Sequence, residues 1–446
     1  MQSVVSDEPE VRSERASVAS PRVVVVHSGA RDSYQVAVAL AEAGMLEALV
    51  TDLFWPARKQ WAQNLASMLP SGVRELLAHR SEQRLPSSCV KPCSITGAAT
   101  LALDKFPRVP LQIRSRMMRH GDKVLGTTAG KMARRKGCNL LSYSYYGHAA
   151  FCQFGRDGIL FQLHPHPASI RAILLKELRR YPECAASLRQ EWELALGEED
   201  FQRLVQEPTM ARHLIAASSF TRSTLVEHGV PYEAVVVIPY GVDSSRFKPD
   251  PHRSQNTAKL QLLFVGRINQ RKGIRDLVEA MQLVGSERVE LTICGQVVDD
   301  LAIFRPFADR IRILPNVSDE MLIAAYQAAD LFVFPSVAEG FGQVLLEALA
   351  SGLPILSTTR TAAPDLIEPG RQGFIVEPGK PEELAARIEW VLANRSQLRE
   401  MRQEARCVAE QFTWQRFRSS LTARVTEMTT ARESTPVDSK AFSRAV

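Results

Sequence analysis

The sequence predicts an α/β protein made of two doubly wound, Rossmann-like domains facing a cleft. Three observations point there. Short apolar runs alternate with longer helical patterns along the chain. At 446 residues the chain has room for two domains of ordinary size. A cluster of Pro, Gly, Asp and Ser at Pro239–Ser254 breaks the alternation near its middle. Expected strands in the first half are Arg22–His27, Ala48–Thr51, Asn139–Tyr143, Ile159–Leu163 and Leu214–Ala217. In the second half they are Leu260–Gly266, Val289–Cys294, Ile311–Leu314, Leu331–Pro335, Pro354–Ser357 and Phe374–Val376. Helical stretches such as Lys272–Leu283 and Gln343–Ala350 follow most of them. The expected organisation is a flexible tail at 1–20, a first domain at 21–235 and a second at 236–411. A terminal helix at 412–427 and a second flexible tail at 428–446 complete it. Phe412, Trp414, Phe417 and Leu421 would let that helix cross back onto the first domain, or cap the second core.

Composition narrows the function classes. With 45% hydrophobic and 23% charged residues, the chain is globular and neither mostly disordered nor fibrous. Apolar runs such as Val23–Val26 fall far short of the roughly 20 residues of a membrane span. The first residues include Asp7, Glu8, Glu10 and Glu14 and no apolar core, unlike a secretory signal. The seven cysteines are scattered, and Cys89 and Cys93 have no second pair nearby. Neither a disulfide framework nor a zinc pattern emerges, so a reducing cytoplasm is the expected location.

The net charge of +6 is uneven: residues 105–136 hold ten Lys or Arg against one acid, Asp122. Such a stretch draws phosphates and would suit contact with an anionic membrane; a solvated face is the plainer reading. Pro107, Pro110, Gly121, Gly126 and Gly130 argue against one long amphipathic helix there. Phe106 apart, no Phe, Tyr or Trp interleaves the charges, so nucleic acid is not an expected partner. The acidic run Glu191, Glu193, Glu198, Glu199 and Asp200 reads as a solvated helical surface.

Chemistry concentrates after strands of the second half. Gly266-Arg267 and Lys272-Gly273 follow the first of them. Cations in the first turn of a helix oppose its dipole, a conflict that a bound diphosphate would resolve. After Leu331–Pro335 come Glu339-Gly340-Phe341-Gly342-Gln343 and, further on, Glu347. Gly340 and Gly342 let the backbone approach a ligand, and the helix that follows aims its amides at an anion. Glu339 and Glu347 can each accept hydrogen bonds from adjacent sugar hydroxyls. Either loop alone would read as an ordinary charged turn; in combination they suit a diphosphate joined to polyols.

Gly266-Arg267-x4-Lys272-Gly273, Glu339-x7-Glu347 with Gly-Phe-Gly inside it, and Ile238-Pro-Tyr-Gly241-Val-Asp243-x2-Arg-Phe247 together resemble the retaining GT-B glycosyltransferases of family 4. The resemblance is clear over about Leu214 to Leu392 and diffuse over residues 22–213. It implies that Arg267 and Lys272 bind the donor diphosphate and stabilise it as it leaves. It implies that Glu339 contacts the transferred sugar and Glu347 the ribose. The amides of Phe341, Gly342 and Gln343 would face the sugar and distal phosphate, and the strip Pro315-Asn316-Val317 the base. Retention would follow front-face attack, with the leaving phosphate helping to take the acceptor proton. The family generally needs no metal or other cofactor beyond the nucleotide-sugar co-substrate. This sequence agrees in lacking an Asp-x-Asp motif, Asp299-Asp300 reading as a surface pair.

The first half is less explicit. His27-Ser28-Gly29-Ala30-Arg31-Asp32-Ser33 stands where the family has a Gly-rich turn bordering acceptor and donor, with Arg31 sharing the work of the single Gly29. A plain turn with Asp32 or Ser33 capping the next helix explains the same residues. His164, in His164-Pro165-His166-Pro167, matches the cleft histidine that touches the transferred sugar, and His148 is its rival. Two histidines do not make a metal site.

The reading is a metal-independent hexosyltransferase of surface polysaccharide or glycolipid synthesis, peripheral to the inner face of the membrane. It would use a nucleotide-diphosphate sugar and a saccharide or lipid-linked acceptor. The alternative is a catalytically silent nucleotide-sugar-binding scaffold of the same fold. A nicotinamide-dependent oxidoreductase would need a Gly-x-Gly-x-x-Gly turn after its first strand, which His27–Asp32 lacks.

Overall fold

The computed structural model describes residues 20–93, 111–252, 258–285 and 287–430. The expected tails 1–20 and 428–446 lie almost wholly outside them, as do Lys105, Pro107, Arg108 and Pro110. The first sheet holds β1 (Val23–Val26), β2 (Leu46–Thr51), β3 (Val90–Pro92), β4 (Asn139–Tyr143), β5 (Ile159–Gln162), β6 (His213–Ala216) and β7 (Val235–Val237), in the order β3-β2-β1-β4-β5-β6-β7. The second holds β8 (Leu260–Val265), β9 (Val289–Cys294), β10 (Ile311–Leu314), β11 (Leu331–Phe334), β12 (Ile355–Thr358) and β13 (Gly373–Val376), in the order β10-β9-β8-β11-β12-β13. Each of these strand pairs runs parallel, as strands covered by helices on both faces do. Strand order reverses beside β1 in one sheet and beside β8 in the other. The carboxyl ends there are where ligands bind in doubly wound folds.

The short edge strands β3 and β7 escape the sequence reading. β7 pairs with β6, so the chain at the expected 235/236 boundary lies inside the first sheet. Each lobe has its own apolar core, and Tyr240 on the connection packs against both. The last helix, Trp414–Thr430, returns to the first lobe, where it buries Phe417, Leu421 and Val425. Arg418 there donates to Glu42 at 2.8 Å and to Gln35 at 2.9 Å. Phe412, just before the helix, stays against the second core.

The basic segment corrects an expectation: residues Leu111–Lys136 form one continuous helix. Gly126 and Gly130 do not break it because they serve close packing against the helix Gly147–Phe154. A Cβ on Gly126 would lie 2.4 Å from the Tyr146 carbonyl oxygen, and one on Gly130 would lie 2.3 Å from that of Ala150. Among the described residues no helix is long and apolar enough to cross a membrane.

Candidate active site

The loop after β8 carries Gly266 to Gly273 and is clamped into the first lobe. Asn269 donates to Glu191 at 2.9 Å, Gln270 to Glu177 at 2.7 Å, and Arg271 to Glu191 at 2.7 Å. Glu193 lies 3.5 Å from the same guanidinium. Glu191 and Glu193 are buried, so this end of the acidic run is an interlobe anchor rather than a solvated face. Burying two carboxylates is tolerated because a cation and a donor amide meet them. Glu198 and Glu199 remain exposed. Lys272 forms an ion pair with Glu339. Burial, then Arg271 and, less strongly, Arg267, push the Lys272 ammonium down to about 7, opposed by Glu191.

The loop after β11 brings Glu339 to that lysine and pins itself to the opposite lobe at Gly340. Ser218 and Thr221 donate to the Gly340 carbonyl at 2.5 Å and 3.1 Å. A Cβ on Gly340 would lie 2.0 Å from the Leu163 carbonyl oxygen, so only glycine fits. Phe341 is buried against Tyr240. Gly342 precedes the helix Gln343–Ala350, and the Gln343 side chain donates to the Gly241 carbonyl at 2.6 Å. Glu347 accepts from the Tyr326 hydroxyl at 3.0 Å, and burial raises its pKa.

In the first lobe His164 ends the chain's run out of β5. Its Nδ1 is buried with no hydrogen-bond partner among the described residues. Burial, then Arg271, Arg31 and Lys272, hold the imidazole neutral. The turn after β1 is unusual: Asp32, Ser33 and Tyr34 have φ of 45°, 52° and 60° in succession. Left-handed conformations at three consecutive non-glycine residues store strain of the kind found at functional sites. The backbone of Gln35 and Val36, which open the next helix, hydrogen-bonds to the Asp32 carboxyl, as the capping reading expects. Asp32 also accepts from the Tyr143 hydroxyl at 2.6 Å, and burial outweighs these bonds and raises its carboxyl to about 7.

A cavity of about 310 Å³ between the lobes gathers Arg31, Asp32 and His164 from one side with Gly266, Lys272, Glu339, Phe341, Gly342 and Gln343 from the other. Other candidates lie around it. Arg267 is exposed, 3.9 Å from Glu191. Asn316 and Val317 follow β10 at the edge of the same sheet, and Glu347 sits a turn along its helix. Gly29 does not line the cavity; its amide donates to Asp52 at 2.8 Å. His148 lines a different pocket. His166 caps the helix Pro167–Arg180 by accepting from the Ala168 amide, and stacks on His228. Asp300 caps a turn, while Asp299 is half-buried rather than a surface residue. Sequence reasoning missed Asn269, Gln270, Arg271 and Asp32. Arg271 sits inside the quoted motif, but its partners are some 80 residues away in the chain.

Two parallel-sheet lobes closing on a cleft lined by the loops after β1, β5, β8 and β11 define a GT-B protein. A family model described as glycosyl transferases group 1 matches residues 247–408, within the second lobe. A D-inositol 3-phosphate glycosyltransferase of Geodermatophilus obscurus is 34% identical over 239 residues, 48% of this chain and 52% of that protein. The capsular polysaccharide biosynthesis glycosyltransferase CapM of Staphylococcus aureus is 29% identical over 204 residues, 42% of this chain and 51% of that one. The chain thus spans about half the length of the curated relatives it matches. The fold is shared with sucrose-phosphate synthase of Thermosynechococcus elongatus, at a TM-score of 0.61 and 18% identity, covering 92% of this chain and 100% of that one. It is also shared with Anabaena HepE solved with UDP, at 0.54 and 16%, again over 92% and 100%.

Proposed function

We propose that this protein transfers a sugar, with retention, from a nucleotide-diphosphate donor to a hydroxyl of a saccharide or lipid-linked acceptor. The acceptor belongs to surface polysaccharide or glycolipid synthesis on the cytoplasmic side. The observation that carries the reading is the meeting of Lys272 and Glu339 with His164 and Arg31 in one interlobe cavity. Breaking the sugar–phosphate bond builds negative charge on the diphosphate. Lys272, Arg267 and the amides opening the helix at Gln343 stabilise that charge, and a partly dehydrated cleft magnifies the effect. Glu339 holds sugar hydroxyls, Glu347 the ribose, and the strip Asn316–Val317 lies along the base. Neutral His164 exchanges hydrogen bonds with the transferred sugar. The leaving phosphate takes the acceptor proton, so no separate protein base is needed; front-face attack needs no protein nucleophile, and Arg267 and Lys272 offset the diphosphate charge in place of a metal.

A thermal-shift panel with GDP, UDP, ADP and their sugar conjugates, without metal, tests the donor site. The UDP in the HepE structure makes UDP the first to try. At a hundred times its dissociation constant a ligand adds about 2.7 kcal/mol. One clear shift followed by donor hydrolysis supports the transferase. A shift without hydrolysis or transfer supports the silent scaffold, and no shift with any of them sinks the donor site.

A further inference from the structure

A second cavity, of about 420 Å³, lies within the first lobe among the helices Leu111–Lys136, Gly147–Phe154 and Glu198–Met210. Its walls include Arg116, Arg119, Lys123, His148, Arg203 and Glu207. Arg116, Arg119 and Lys123 are spaced to share one helix face. The acids nearby are already committed. Asp122 pairs with Arg119 at 2.6 Å and Asp200 with Arg203 at 3.0 Å. Glu207 accepts the Tyr145 amide at 2.8 Å and the His148 amide at 3.1 Å. Arg116 and Lys123 have no ion pair or hydrogen bond among the described residues, and the buried Arg119 Nε has no acceptor there either. After burial, Arg203 and Lys123 are what depress the His148 imidazole.

The pocket adjoins the interlobe cleft through one residue. Arg119 lies over the Tyr145 ring at 5.2 Å, and Tyr145 meets the His164 ring edge-to-face with centroids 6.1 Å apart. Tyr145 is left-handed, with φ 81°, so the protein holds this wall against a backbone preference.

We propose that this pocket binds the phosphate monoester of a ligand. Several guanidinium and ammonium groups converging on one cavity suit a dianion with multiple acceptor oxygens. At about 420 Å³ the cavity has the size of a small-molecule site. That the phosphate belongs to the acceptor rests on the glycosyltransferase reading; the anion site stands apart from it.

The test follows the His148 ring by NMR, assigned with a His148→Gln sample, as inorganic phosphate is titrated into the full chain at low ionic strength. The expected result is a saturable shift and a raised His148 titration midpoint. Arg116→Gln with Lys123→Gln weakens it about tenfold or more, the worth of lost charge-assisted hydrogen bonds. Lys123→Glu alone weakens it similarly, and Lys272→Ala, in the other cavity, leaves it unchanged. No saturable shift, or undiminished affinity in the charge variants, overturns the proposal whatever becomes of donor binding. Flotation with phosphatidic acid vesicles then separates the sources. Phosphate-sensitive binding lost in the charge variants assigns a lipid headgroup, and its absence assigns a small phosphorylated molecule.

Discussion

The Arg271 guanidinium donates to the Glu191 carboxylate across the lobe interface at 2.7 Å, with both side chains buried. This contact holds the loop bearing Arg267 and Lys272 against the first lobe. Replacing Arg271 with Ala leaves Glu191 and Glu193 buried without their cation, which costs about 3–5 kcal/mol. Urea denaturation of Arg271→Ala measures the loss. An unchanged midpoint would mean that the carboxylates reach water.

Lys272 and Glu339 are the pair at the centre of the proposed donor site. Lys272→Ala and Glu339→Ala are each expected to abolish transfer while leaving the fold intact. Loss of one group aimed at developing charge typically lowers turnover by about 10²–10³-fold. Near-wild-type turnover by either variant, at matched melting temperature, would remove these residues from the mechanism.

Glu207 gives a pH signature. Burial raises its carboxyl from 4.5 to about 7, against the pull of the His148 and Tyr145 amides and Arg119. Its proton is therefore held more tightly in the folded state. The stability this contributes is full below about 4.5 and lost as pH rises through about 7, a swing of about 3 kcal/mol. Melting curves of wild type and Glu207→Gln between pH 4 and 8 should diverge in that sense. Parallel curves would contradict a raised carboxyl.

Gly340 reports on the closeness of the lobes. Gly340→Ala drives a Cβ into the Leu163 carbonyl, and overpacking of this kind costs roughly 1–3 kcal/mol. The lobes are expected to part, raising the radius of gyration in X-ray scattering and weakening donor binding. Unaltered scattering and affinity would show that the interface yields locally instead.

Much of the architecture was legible because period and punctuation are local. Val23–Val26 and Leu331–Phe334 are apolar throughout because both faces of a central parallel strand are covered. The donor motifs follow strands, so their place at carboxyl ends could be read directly. Edge strands β3 and β7 could not be, since three residues carry too little pattern. Gly126 and Gly130 were misread for a related reason. Alone they weaken a helix, and only the neighbouring helix shows that their missing side chains admit it.

By itself the sequence determined two doubly wound lobes and the loops that carry the candidate site residues; the ion pair between Lys272 and Glu339 came from the tertiary structure. Only the tertiary structure decided that Glu191 is a buried anchor, that Asp32 lines the cleft, and that His164 rather than His148 lines the interlobe cavity. Such assignments depend on groups brought together from distant parts of the chain. Burial and electrostatics act through space, and spacing along the sequence does not encode them.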